Sequence, residues 1–227
     1  MERFTWMAVS PSRRRLVALG VLVAASVFAA GLVALRYVLS GSGGYAGLCW
    51  NLVLAWIPLA LALVAYDRDR RGRGVRALLL PVALWLAFLP NAPYLVTDFV
   101  HLRDETAMPV WFDVALLTSF AWIGLMLGFV SVYLVQAVVR RHAGAAAGWA
   151  FVLASFGACG VGVYLGRYLR LNTWDLVVRP LGVLGDVGAT LDSPRLLGMS
   201  LVMAAFLTVA YAMLYTVLEV AVDARRD

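Results

Sequence analysis

Residues 114–139 read VALLTSFAWIGLMLGFVSVYLVQAVV, and Arg140 and Arg141 end the run. These 26 residues carry no charge. As an α-helix they would rise about 39 Å, enough to cross a hydrocarbon core of about 30 Å. Working outward, five more apolar runs flank this one. Residues 16–35 follow Arg13, Arg14 and Arg15 and are closed by Arg36. Residues 46–65 carry Pro58 near their middle, and residues 77–89 follow Arg76. A fifth span starts near Ala143 or Trp149 and runs to about Leu165. The last, 196–222, is followed by Arg225 and Arg226. The first run has the look of a signal peptide. Its apolar region is longer than the usual 7–15 residues, so an uncleaved helix is expected.

Composition agrees. Of 227 residues, 63% are hydrophobic and 14% charged, where about 25% charged is usual for a soluble domain. Mean hydropathy is +0.86. One soluble core of this size cannot hide so much apolar surface. Soluble globular, disordered, fibrous and disulfide-scaffold classes are excluded. The reading is an all-α integral membrane bundle of about six transmembrane helices in a single domain, residues 1–227, with the lipid bilayer as its surroundings. Cys49 and Cys159 read as small buried hydrophobes.

The net charge is +6, and all 19 basic residues are arginine. They sit at the ends of apolar runs, so they orient the chain rather than bind nucleic acid. Alternate sorting puts the N-terminus, the 67–76 and 140–148 loops and the C-terminus together, with 13 arginines against 6 on the other side. The arginine-rich side is expected to be cytoplasmic. The expected location is the cell membrane, multi-pass, with both termini inside and loops 90–113 and 166–195 outside. No inverted repeat is visible, which weakens a standard transporter architecture.

The third span is unusual. Its 13 residues rise only about 20 Å before Pro90-Asn91-Ala92-Pro93 and a second apolar piece, residues 94–102. Prolines remove backbone donors and disfavour helix before them. Two readings stand: a discontinuous helix broken at these prolines, or a loop followed by a short interfacial helix. Asn91 is expected to cap the piece that follows.

Ionisable residues in or beside a membrane are functional candidates because they are costly to hold there. Nearly all fall on the expected outer side. Asp98 and His101 are three apart and share a helix face; carboxylate and imidazole together suit proton transfer or an orienting hydrogen bond. Two ligands are too few for a metal site, and His142 is expected on the opposite side, so neither metal nor cofactor is assigned. Asp113 heads the fourth span, as a helix-dipole partner or an arginine partner. Arg167 and Arg170 are also three apart and suit a phosphate or carboxylate. Asn172 and Asp175 fit a helix start as cap and first-turn acid. Ser119, Ser131 and Gln136 read as helix stitching, and Gly157, Gly160 and Gly162 as a close-packing face. Glu219 reads as interfacial.

Two strings are specific when taken together. The first is Leu89-Pro90-Asn91-Ala92-Pro93-Tyr94 with Thr97-Asp98. The second is Arg167-Tyr168-Leu169-Arg170-Leu171-Asn172-Thr173-Trp174-Asp175. With His101-Leu102 and Trp111-Phe112-Asp113 between them, the chain from about Trp50 to Met213 resembles an uncharacterised bacterial membrane family, the domain-of-unknown-function 1361 family. The resemblance implies a multi-span protein of the bacterial inner membrane and carries over no catalytic role.

Three functions follow from these residues. In the first, Asp98, His101 and Asp113 face Arg167, Arg170 and Asp175 across an outer cavity that binds or transports a small ion or anion, with Asn91 at the broken span. In the second, the cluster is a salt-bridge network in a structural or accessory protein. In the third, ranked lower because no nucleophile motif supports it, His101 is the acid–base group of a membrane enzyme acting on an anionic or lipid-linked substrate.

Overall fold

The computed structural model describes residues 11–103, 107–171, 175–178, 180–190 and 193–223. Among these the chain is helical, without a strand. The helices are α1 (Pro11–Ser40), α2 (Ala46–Arg70), α3 (Arg76–Phe88), α4 (Asn91–Tyr94), a 3-10 segment (Leu95–Arg103), α5 (Val110–Tyr168), α6 (Asp175–Val178), α7 (Pro180–Thr190) and α8 (Pro194–Asp223). Five stretches are long and apolar enough to cross a membrane: Arg15–Ser40, Ala46–Arg70, Arg76–Leu102, Val110–Tyr168 and Pro194–Val220.

The fourth is 59 residues long and not straight, because Gly144 adopts φ 86 and ψ 174. A residue without a Cβ enters that region freely. The chain reverses there, so that the Phe129 and Phe156 rings lie 6.2 Å apart; straight helix would hold them about 40 Å apart. α5 is thus a hairpin of two arms, α5a (110–143) and α5b (145–168). With it the bundle has six membrane-length limbs, as the apolar runs predict.

Lipid tails are as apolar as leucine, so helices associate here through close packing and hydrogen bonds. α5a forms the centre, with Leu116, Leu117, Phe120 and Leu127 fully buried. Trp85 of α3 donates its indole N–H to Ser131 Oγ at 3.0 Å, and that hydroxyl donates to the Gly128 carbonyl at 2.7 Å. Tyr211 of α8 donates to Gln136 Oε1 at 2.6 Å. Ser131 and Gln136 therefore do join helices, whereas Ser119 bonds only the Ala115 carbonyl of its own helix. The outward faces of α1 and α8 expose Leu16, Val21, Phe28, Leu201, Val202 and Val209, an apolar surface suited to lipid. Cys49 and Cys159 are both free, the second buried.

α3 stops at Phe88 because Pro90 cannot donate to the carbonyl four residues back. Yet Leu89 (φ −52, ψ −40), Pro90 (−59, −23) and Leu95 (−57, −25) all remain right-handed. The break is therefore a tightened turn rather than a gap. Ala92 N–H bonds the Leu89 carbonyl and Tyr94 N–H the Pro90 carbonyl, each at 3.1 Å. That diverts Ala92 from the Phe88 carbonyl, and Asn91 Nδ2 takes its place at 2.9 Å. Asn91 thus does not cap α4, whose N-cap is Pro90 without a side-chain bond. It closes the end of α3 instead, because no extended residue separates the two helices.

Four glycines grip this turn. A Cβ at Gly124 would strike the Ala92 carbonyl oxygen, and one at Gly128 would stand 3.1 Å from Ala92 Cβ. From α5b, a Cβ at Gly162 would strike the Pro90 ring and one at Gly166 would stand 3.3 Å from Tyr94 Cε2. Gly160 lies against the Ser200 backbone, while Gly157 meets nothing within 4 Å. Close packing is thus real at Gly160 and Gly162 and absent at Gly157. Overpacking of this kind costs about 1–3 kcal/mol. Gly124→Ala should lose that much on unfolding in detergent, since a backbone carbonyl cannot swing aside. Gly157→Ala should stay within about 0.5 kcal/mol of the wild type. Equal losses from the two would refute the clamp.

Candidate functional site

Among the described residues the ion pairs segregate to the two ends of the bundle. At one end stands Asp98, placed by the 3-10 segment and 4% exposed at its side chain. Arg167, in the last turn of α5b, donates Nη1 to Asp98 Oδ1 at 3.1 Å and Nη2 to the Thr97 carbonyl at 2.9 Å. Its Nη1 also lies 3.4 Å from the Tyr94 hydroxyl, and its guanidinium 5.7 Å from the Tyr94 ring centroid. Asn51 of α2 donates to Asp98 Oδ2 at 3.4 Å. Asp98 therefore joins α2, the proline turn and α5b.

A second pair lies at the same end. Arg36 of α1 donates Nε to Asp113 Oδ1 at 2.8 Å and Nη2 to Oδ2 at 3.3 Å, both side chains 1% exposed. The Tyr45 ring centroid lies 4.6 Å from the guanidinium. Arg36 is the residue that sequence reasoning missed, as it was read only as the charge closing the first run. The signal was there: a lone charge continuing an apolar helix is itself an intramembrane candidate.

The remaining candidates scatter. Asp113 pairs with Arg36 and not with Arg167. His101 is exposed on the 3-10 segment, within electrostatic reach of Asp98. Arg167 and Arg170 do not share a face. The helix ends at Tyr168, and Arg170 lies beyond it at φ 52, exposed to solvent. A left-handed residue turns its side chain off the helical track, which the three-residue spacing assumed. Asp175 sits in the first turn of α6, partly buried. Asn172 lies outside the described residues.

Beside the Asp98 cluster is a cavity of about 150 Å³. Trp50, Asn51 and Leu54 of α2 form one wall, and Ala87, Pro90, Asn91 and Tyr94 another. Gly162, Leu165 and Gly166 of α5b, Leu171 beyond that helix and Val183 of α7 complete it. Two asparagines and a tyrosine thus line an otherwise mostly apolar cavity. A separate groove of about 280 Å³ touches Arg167 with Thr97, Tyr164, Tyr168, Met199 and Met203. Among the described residues no three His, Cys, Asp or Glu side chains gather as a metal site.

At the opposite end, Arg15 meets Asp67 at 2.7 Å. Arg141 and His142 both meet the buried Asp69, the imidazole at 2.7 Å. Arg68 donates to the Ala77 carbonyl at 2.9 Å, and Arg140 bonds the Tyr215 hydroxyl. These contacts gather the start of α1, the 67–76 turn, the Gly144 turn and the far half of α8 at one end. That grouping matches the alternate sorting of arginine-bearing segments.

A family model described as "Protein of unknown function (DUF1361)" matches residues 50–210. No curated protein and no solved structure matches the chain.

Proposed function

Since the chain belongs to the DUF1361 family, whose description assigns no activity, its role has to come from its own geometry, and we propose that it is a binding module of the cell membrane that holds a small ion or anionic group in the cavity beside Asp98. One observation carries this: Asn51, Asn91 and Tyr94 line about 150 Å³ of space whose other walls are mostly apolar. Concave, mostly apolar pockets with a few placed polar groups are the usual form of small-ligand sites. The ion pair of Asp98 with Arg167 holds the proline turn and Asn51 in place around it. The excess of arginines at the Asp69 end supports a cytoplasmic location for that end and for both termini, and hence an outward-facing cavity.

A second reading, a structural or accessory protein, is favoured by one fact. Two buried carboxylates at this end, Asp98 and Asp113, already have arginine partners within the chain. The enzyme reading rests only on His101 near Asp98 and is the weakest of the three.

Thermal unfolding of the purified protein in detergent separates them. The panel holds phosphate, small carboxylates, divalent cations and anionic lipids. A ligand bound only to the folded state raises apparent stability, by about 2.7 kcal/mol at a hundredfold excess over its Kd. Ala87→Phe fills the cavity without touching an ion pair. The binding reading expects a shift in the wild type that Ala87→Phe abolishes while remaining folded. No shift with any member of the panel would sink it and leave the structural reading.

A further inference from the structure

We propose a second site at the opposite end of the bundle, independent of the cavity beside Asp98: Gln136 and Arg140 of α5a form a receptor for a phosphate group. The place is a cavity of about 180 Å³ lined by Tyr133, Gln136, Ala137, Arg140 and Tyr215.

Gln136 is 1% exposed. Its Oε1 accepts from the Tyr211 hydroxyl at 2.6 Å, but its Nε2 makes no hydrogen bond among the described residues. A buried amide donor left without a partner costs free energy, and the Gln136 side chain that carries it lines this cavity. A bound acceptor would satisfy it.

Arg140 sits one turn further along the same face, since residues four apart are neighbours on a helix. It meets two parts of Tyr215, the hydroxyl and the ring, with the guanidinium 5.8 Å from the centroid. Among the described residues it forms no ion pair, unlike Arg141 beside it, which is held by Asp69. Its charge is therefore not cancelled by a carboxylate in contact. Its stem lies against Gly148 of α5b, where a Cβ would collide with Arg140 Cγ. That glycine fixes where the guanidinium can reach. Tyr133 and Tyr215 wall the cavity with ring centroids 6.2 Å apart, and Trp149 stands 5.0 Å from Tyr215.

An amide N–H and a planar guanidinium converging from one face recognise an oxyanion with several acceptor oxygens. Phosphate fits that chemistry. Beside the Gly144 turn, at the end of an apolar helix and among Tyr and Trp side chains, the site is at the depth of lipid headgroups. One group opposes the ligand. The Glu219 carboxylate, one turn beyond Tyr215 on the same face of α8, lies near its hydroxyl and brings a like charge toward the phosphate.

The test uses the full chain in neutral detergent and reads its melting temperature with three probes: inorganic phosphate, phosphatidylglycerol and phosphatidylcholine. A shift with phosphatidylglycerol above that with phosphatidylcholine, and none with inorganic phosphate, identifies a lipid headgroup. A shift with inorganic phosphate identifies a free phosphate. In either case Arg140→Gln and Gln136→Glu should each weaken apparent affinity by about tenfold or more, as hydrogen bonds to a charged group warrant. Gln136→Glu keeps the acceptor for Tyr211, so the fold is expected to survive. Glu219→Gln should tighten binding by removing the opposing charge. No shift with any probe overturns the proposal. So does loss of the shift in Arg140→Gln with full retention in Gln136→Glu, which would reduce the site to an ordinary interfacial arginine.

Discussion

Arg36→Ala and Asp113→Ala should each cost about 3–5 kcal/mol of unfolding free energy, because each leaves a buried charge without its counter-charge. Both side chains are 1% exposed and meet through two hydrogen bonds. Little water can replace the lost partner. The pair also matters topologically. Only 6% of the most apolar window of α1 is buried, against 61% for α5. α1 therefore has little packing to hold it against the centre, and the Arg36–Asp113 contact is its main polar tie. The single variants should detach α1 before the rest of the bundle unfolds. The double variant Arg36→Met with Asp113→Leu should recover most of the loss, since a packed apolar pair is often as stable as a buried ion pair. Denaturant titration in mixed micelles, with a fluorophore on α1, reads both quantities. Single variants within about 1 kcal/mol of the wild type would show that the pair is not closed as described.

The membrane bundle was legible because its signal is one-dimensional. A run of uncharged residues long enough for the bilayer needs no knowledge of its neighbours, so residues 114–139 could be read alone. The hairpin within α5 was legible for the same reason: Arg140, Arg141 and His142 interrupt the apolar sequence just before Gly144. Partnerships were legible only in part: Asp98 was expected to face Arg167, and the two meet. Asp113 and Arg36 are 77 residues apart, and no spacing rule links them. Arg167 and Arg170 followed a spacing rule whose premise failed, since the helix ends between them. Asn91 was seen as a polar residue between prolines. Which carbonyl it would serve depended on whether the backbone stayed right-handed across the turn. Gly124 and Gly128 follow the small-residue spacing known to bring helices together, but their partner is Ala92 of a tight turn, its carbonyl oxygen at Gly124 and its Cβ at Gly128.

Asp98→Leu should cost about 2–4 kcal/mol, somewhat less than the Arg36 pair. Arg167 is 16% exposed and keeps the Thr97 carbonyl and Tyr94 as partners when the carboxylate is gone. Asp98→Asn should cost only about 1–2 kcal/mol, because its amide oxygen still accepts from Arg167 and its amide N–H can donate to Asn51 once the Asn51 amide turns to present Oδ1. That difference makes Asp98→Asn the sharper probe of function. In the wild type the carboxylate cancels the arginine beside the cavity. In Asp98→Asn the guanidinium charge stands alone, 3.4 Å from the Tyr94 hydroxyl that lines it. An anionic ligand in the cavity should then bind more tightly, and a cation more weakly. At an effective dielectric of about 20 and a separation of roughly 8 Å, Coulomb's law gives about 2 kcal/mol, or some thirtyfold in affinity. Melting temperature against ligand concentration, wild type beside Asp98→Asn, measures the change and its sign. A larger shift for anions in Asp98→Asn than in the wild type supports an anion site, and a smaller shift for cations there reverses the ligand's charge. Two destabilised variants with no ligand response would show the cluster to be a brace between α2, the proline turn and α5b.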